Sequence, residues 1–164
     1  MRRLPLAVLV ALSPLATTAA EPVLPPMEAG FTATAALGGG GELGLKSGKA
    51  GVLELEAALG WELQSLGLRP ALAAALGVAP DSHLAFRPGV RWTIPGFPIQ
   101  LRAAVDGSNA RSTDFHWRWL LIGAAAEIRF TSLLGLFGEI DTGAPLGSGP
   151  GLPLLLRGGA SFRF

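Results

Sequence analysis

Leu53-Glu54-Leu55-Glu56-Ala57-Ala58-Leu59-Gly60-Trp61-Glu62 carries an apolar residue at every odd position and glutamates at 54, 56 and 62. Successive side chains of a strand point to opposite faces, so this period of two describes a strand with one apolar and one polar face. A helix would mix the two classes. The same dyad recurs outward from it. In Leu84–Trp92 the even positions hold Leu84, Phe86, Pro88, Val90 and Trp92, against Arg87, Gly89 and Arg91. Ile99, Leu101, Ala103 and Val105 alternate with Gln100, Arg102, Ala104 and Asp106. At the end of the chain Leu154, Leu156, Gly158, Ala160, Phe162 and Phe164 alternate with Leu155, Arg157, Gly159, Ser161 and Arg163.

Extended along the chain, the pattern predicts eight strands, at 29–37, 51–62, 66–77, 83–92, 97–106, 114–130, 133–142 and 153–164. Leu43 and Leu45 keep the parity of Phe31 and Leu37, so the first strand can run on toward Leu45. The sixth changes parity midway: Phe115, Trp117 and Trp119 share a face, whereas Ile128 and Phe130 are the later apolar partners of Glu127 and Arg129. A β-bulge within Leu120–Gly123 reconciles the two halves. Pro70 and Pro88 lie inside strands, lack a ladder N–H and mark irregular points. Connections alternate in length. Gly38–Ala50, Val78–Ser82, Gly107–Thr113 and Gly143–Leu152 are the longer ones; the others are tight. Alternating long loops and short turns lace an antiparallel outer-membrane barrel, with long loops outside and both termini periplasmic. The run Gly38-Gly39-Gly40-Gly41 lacks the Lys-Ser/Thr and helix of a phosphate loop and reads as a flexible connection.

Composition narrows the class. Of 164 residues, 49% are hydrophobic and 15% charged, below the roughly 25% of an average soluble protein. The longest apolar run beyond the leader, Trp119–Ala126, is far shorter than the ~18 residues of a spanning helix. A polytopic helical membrane protein and a disordered chain are excluded. So are a disulfide scaffold and a thiolate metal site, because cysteine is absent. Residues 1–20 read as a secretory signal peptide: Arg2 and Arg3, an apolar Leu4–Leu15, then Thr18-Ala19-Ala20 before Glu21. Residues 21–28 form a short periplasmic segment and 29–164 the barrel. Without Arg2 and Arg3 the remainder has 11 basic and 12 acidic residues, which gives no case for nucleic acid.

Aromatic residues fall into two belts. Phe31, Trp61, Trp92, Phe97, Phe130, Phe162 and Phe164 sit at strand ends assigned to the periplasm, and Phe86, Phe115, Trp117 and Trp119 toward the outer ends. Two belts flanking an apolar band suit a bilayer. The final Pro153-Leu154-Leu155-Leu156-Arg157-Gly158-Gly159-Ala160-Ser161-Phe162-Arg163-Phe164 resembles the terminal strand of bacterial outer-membrane β-barrels. With the leader and eight strands, the chain is similar to the small OmpA/OmpX-like barrels. The resemblance implies an all-β, eight-stranded antiparallel transmembrane barrel in the bacterial outer membrane. It also implies Phe162 and Phe164 as the signal read by the barrel-assembly machinery, with lipid and lipopolysaccharide as surroundings and a monomeric state. A secreted sandwich or lipocalin-like barrel, apolar side inward, is the soluble alternative.

With the apolar face on lipid, the polar face fills the lumen. It carries Glu54, Glu56, Glu62, Arg69, Arg87, Arg91, Gln100, Arg102, His116, Arg118, Glu127, Arg129, Glu139, Asp141, Arg157 and Arg163, with Asp106 at the rim. Eight strands leave an interior that side chains fill. Buried charges need partners, and the arginine fork holds a carboxylate with two bonds. The set therefore reads as a salt-bridged plug, with a narrow ion or small-solute pore as the alternative. Small inward residues such as Ala58, Gly60, Ala73 and Ala75 leave room for water.

A lipid-modifying enzyme is the third reading. Ser112, Asp114 and His116 share a face at spacing two, and Ser82-His83 opens the fourth strand, so a nucleophile, imidazole and carboxylate meet in principle. Lipid A 3-O-deacylases place a serine two residues after the histidine. Arg118 occupies that position here, so that resemblance fails. Two histidines without cysteine make no metal site. The sequence assigns no catalytic, cofactor or metal residue, and the first reading is a non-enzymatic barrel with a structural, envelope-integrity or surface-interaction role.

Overall fold

The structure, a computed structural model, describes residues 30–43, 51–109, 114–147 and 151–164. The leader, the 21–28 segment, the first long loop with Lys46 and Lys49, and Ser112 lie outside the described residues. Eight strands follow one another: β1 (Phe31–Leu43), β2 (Gly51–Trp61), β3 (Leu68–Ala79), β4 (His83–Thr93), β5 (Ile99–Ser108), β6 (His116–Arg129), β7 (Leu134–Pro145) and β8 (Leu152–Arg163). Each pairs antiparallel with the next, and β8 returns to β1, so the sheet is a closed barrel. Closure removes the unpaired edges that an open sheet would expose. Arg163 stands opposite Thr32, the Phe164 N–H donates to the Phe31 carbonyl at 2.9 Å, and the two rings pack at 6.4 Å.

Dyad parity becomes inside and outside. Leu37, Leu55, Leu59, Leu72, Leu76, Leu101, Ile122, Leu136, Ile140 and Leu156 point outward and are exposed, while the intervening polar residues are buried within the barrel. At the end that holds the termini the turns are short. Gln64–Leu66 form one 3₁₀ turn, and Gly67 follows at φ 61°, a left-handed conformation that glycine adopts without steric cost. Its carbonyl accepts from Thr93 N at 2.8 Å, tying the first short turn to the second. In the third, Thr131 Oγ1 accepts from Leu134 N at 2.9 Å.

Several expectations are corrected. Gly38–Gly41 are not a flexible connection: they lie inside β1, paired with both β2 and β8. A Cβ on Gly38 would strike the Arg157 side chain and on Gly40 the Leu154 carbonyl, so glycine lets β1 run close against β8. The β6 irregularity lies at Arg118 rather than within Leu120–Gly123. Asp106 pairs with Trp119 and Gly107 with Trp117, leaving Arg118 as the extra residue of a bulge. Parity flips there, so Trp117 faces outward and Trp119 turns into the lumen, out of the outer aromatic belt. Gly107 is covered by the Phe115 and Trp117 rings, and a Cβ there would meet both. A second bulge sets Leu53 opposite Ala79 and Glu54 opposite Gly77, with Val78 the extra residue. Pro88 opens the β4–β5 ladder between Phe86↔Gly107 and Gly89↔Ala104, while Pro70 pairs in register with Val90 and only ends the β2–β3 ladder.

Candidate functional site

Four inward charges stand opposite small residues on an adjoining strand, although Arg91 faces Arg69 and Arg102 across its two ladders. Glu54 lies between Gly38 and Gly77, and Glu56 between Ala36 and Ala75. Asp141 is opposite Gly123, where a Cβ would collide with the carboxylate, and Arg157 is opposite Gly38. This large-against-small pairing lets long side chains cross an interior of eight strands.

The central cluster gathers residues from five strands. Arg87 grips Glu54 with two nitrogens, Nη2 to Oε1 at 2.9 Å and Nη1 to Oε2 at 2.8 Å. The same guanidinium donates from Nη1 to Glu56 Oε2 at 2.8 Å and from Nε to Asp106 Oδ1 at 2.6 Å. Arg102 Nη1 reaches Glu139 Oε1 at 2.6 Å, Asp141 Oδ2 at 3.3 Å and Glu56 Oε1 at 3.4 Å. Arg157 pairs with Glu56, with Asp141 and, at 2.7 Å, with Glu139; Arg91 pairs with Glu139. The Arg91 guanidinium also lies 5.7 Å from the centre of the Phe137 ring. All these ionic groups are buried.

A second cluster lies at the termini end. Arg69 Nη2 donates to Gln100 Oε1 at 2.7 Å, and Gln100 Nε2 donates to Glu127 Oε2 at 2.6 Å. Glu127 also accepts from Ser161 Oγ at 2.6 Å and from Arg163 Nη2 at 2.9 Å. Glu62 stands 3.8 Å from Arg69. Parity explains part of the relay: Gln100 is two residues from Arg102, and Ser161 and Arg163 are four and six from Arg157, while Arg69 stands opposite Arg91 on the neighbouring strand.

Above the charges an apolar group of Trp119, Leu121, Leu155 and Ala104, with Val52 against it, fills part of the lumen. Trp119 Nε1 donates to the Gly151 carbonyl at 3.0 Å, and the Arg118 guanidinium stacks 4.1 Å over its ring.

Of the residues assigned to the lumen from sequence, Glu54, Glu56, Arg69, Arg87, Arg91, Gln100, Arg102, Glu127, Glu139, Asp141, Arg157 and Arg163 are buried within it, and Glu62 is half-buried at its end. Three assignments are corrected. His116 is exposed, because it is the first residue of β6 and stands opposite Ser108 at the long-loop mouth. Arg129 is exposed at the opposite mouth, beyond Glu127. Arg118 is the bulged residue, half-buried on the Trp119 ring rather than in the central cluster. Asp106, expected at the rim, is fully buried on Arg87, because β5 continues to Ser108. Phe162 and Phe164 point outward at the closing seam.

Sequence reasoning missed His83 and Phe137. Both share parity with neighbours that were assigned inward, Arg87 and Glu139, and that signal was sufficient to place them. His83 is buried with Nε2 3.0 Å from Glu54 Oε1 and Nδ1 3.2 Å from the Asp81 carbonyl oxygen. Its ring is thereby committed, and its neighbour Ser82 is exposed, so the pair makes no nucleophile and base. Asp114 and His116 are exposed at the long-loop end. Among the described residues no group of three or more histidine, aspartate or glutamate side chains is arranged to hold a metal ion.

No protein-family model matches the chain, and no curated protein matches it. Solved structures do. The N-terminal β-barrel domain of Pseudomonas aeruginosa OprF aligns with a TM-score of 0.55 at 13% identity, covering 84% of this chain and 100% of that one. Neisserial surface protein A aligns with a TM-score of 0.54 at 13% identity, over 83% of this chain and 97% of that one. A de novo designed transmembrane β-barrel aligns at 0.51 and 10% identity, over 82% and 95%. At these identities the likeness is one of fold, and the fold is the closed eight-stranded antiparallel β-barrel of these proteins.

Proposed function

We propose that the chain is a non-enzymatic barrel of the bacterial outer membrane, with both termini periplasmic and a charge-plugged lumen. Its role is structural, in envelope integrity or surface interaction. The observation that carries this reading is the inversion of polarity: leucine, isoleucine and phenylalanine cover the outside, and arginine–carboxylate clusters fill the inside. In water that arrangement would leave a very large apolar surface exposed, far above the few hundred Å² that soluble monomers carry. In lipid every backbone group is satisfied by the closed ladder and the apolar faces meet acyl chains. Outer-membrane lipid and lipopolysaccharide are then its surroundings, Phe162 and Phe164 its contact with the barrel-assembly machinery, and the working form a monomer.

The lumen is a plug on this reading because its charges neutralise one another across the barrel. An ion passing through would have to part several bonds among Arg87, Arg102, Arg157 and their carboxylates, where attraction is strong for want of water. A narrow pore is the second reading. Its support is the set of buried polar atoms without a protein partner, among them Asp106 Oδ2 and Ser108 Oγ. Such atoms call for water. Recording from the purified barrel in planar bilayers separates the two. The plug reading expects no stable open level. A reproducible open state whose ion selectivity changes with Arg87→Glu or Arg102→Glu would establish the pore instead.

A further inference from the structure

We infer that His83 is a buried proton-binding site that holds a doubly protonated imidazolium, the fifth cation of the central cluster and the group that closes its long-loop end. A neutral imidazole carries one N–H and one bare nitrogen. His83 faces an acceptor on each side: the Glu54 carboxylate at 3.0 Å from Nε2 and the Asp81 backbone carbonyl, which can only accept, at 3.2 Å from Nδ1. A single ring proton would set a lone pair against an oxygen at one of these contacts. Two protons satisfy both.

Charge points the same way. Among the described residues, the groups linked through the central contacts are five carboxylates, Glu54, Glu56, Asp106, Glu139 and Asp141, and four guanidiniums, Arg87, Arg91, Arg102 and Arg157. The imidazolium brings them to five against five. A buried charge without compensation is strongly unfavourable. The place is also built for a ring. Gly77 lies opposite His83, and a Cβ there would collide with the imidazole. The groups facing His83 are Glu54 from β2, the Asp81 carbonyl from the β3–β4 turn and Arg87 from its own strand, with Asp106 of β5 reached through Arg87.

The site makes the closure of the lumen sensitive to proton activity. Loss of one proton from His83 leaves the cluster one negative charge in excess and sets a bare ring nitrogen against either Glu54 or the Asp81 carbonyl. The inference rests on the lumen geometry alone and holds whatever surrounds the outer face.

The test uses the full refolded barrel. His83 and His116 are the chain's two histidines, so His116→Asn leaves one imidazole to observe. ¹⁵N spectra at pH 7 should show both His83 nitrogens carrying a proton. A single protonated nitrogen with the other bare overturns the inference. The second measurement is the urea midpoint of unfolding at pH 7 and pH 9. The His116→Asn barrel should lose stability on going to pH 9. The same barrel with His83→Gln, whose amide keeps a donor for Glu54 but cannot take a proton, should lose markedly less. Equal losses in the two proteins also overturn it.

Discussion

At the scale of single residues, polarity is set by position parity and paid back by pairing. Arg87 shows it most sharply, since one guanidinium holds Glu54, Glu56 and Asp106. Arg87→Met would strand those carboxylates in the lumen and should cost about 3–5 kcal/mol of unfolding free energy in lipid vesicles. Leu101→Arg acts on the opposite face, where lipid meets the charge, and should cost about 2–4 kcal/mol near mid-membrane. Urea titration of both variants measures this. An Arg87→Met barrel within about 0.5 kcal/mol of the parent, the range of an ordinary surface change, would remove Arg87 from the buried network. These inward positions were legible because a dyad fixes each side chain to a face. His83 and Asp106 carried the same signal, but His83 opens its predicted strand and reads there as a candidate imidazole base, and Asp106 ends its predicted strand. At Asp106 the end of the strand reads as a rim. Pairing was not legible at all: nothing in the spacing of Arg87 and Asp106 tells that the two meet across β4 and β5, because register and lumen geometry decide it.

At the scale of the element, the informative strand is β6. Its dyad fails because Arg118 is inserted opposite Asp106 and Gly107, which sends Trp117 outward and Trp119 inward. The sequence showed that a change of parity was needed, yet its placement depends on β5. Only the partner strand reveals that Gly107 makes room for the Phe115 and Trp117 rings, and Trp119 finds its acceptor farther round the barrel at Gly151, just before β8. Brominated lipids quench emission of tryptophans that touch acyl chains. In a barrel with Trp61 and Trp92 already replaced by Phe, Trp117→Phe should remove quenchable emission, whereas Trp119→Phe should leave it nearly unchanged. Quenching lost equally in both variants would return the bulge to Leu120–Gly123. The glycine run of β1 teaches a related lesson. Four glycines in sequence suggest a loose connection, and only the closeness of Arg157 and Leu154 on β8 accounts for them as strand.

At the scale of the whole molecule, eight dyad strands with alternating connection lengths were enough to specify a closed antiparallel barrel. Closure itself depends on β8 returning to β1, where Phe164 packs on Phe31. Deleting Phe164, or replacing it with a charged residue, should lower membrane-fraction yield and raise degradation of unassembled chain. Fractionation with unchanged yield would count against Phe164 as an assembly signal. The central claim is that lipid surrounds the apolar face and charge fills the inside. Adjacent residues test it, and the chain has no native cysteine to interfere. Leu101 is outward and exposed, and Arg102 is buried beside Glu139. Leu101→Cys and Arg102→Cys, each labelled with a small fluorophore in the barrel reconstituted in vesicles, are titrated with a lipid-phase quencher. The account predicts strong quenching at 101 and little at 102. Strong quenching at 102 with protection at 101 would contradict it and place the apolar face inside a soluble barrel.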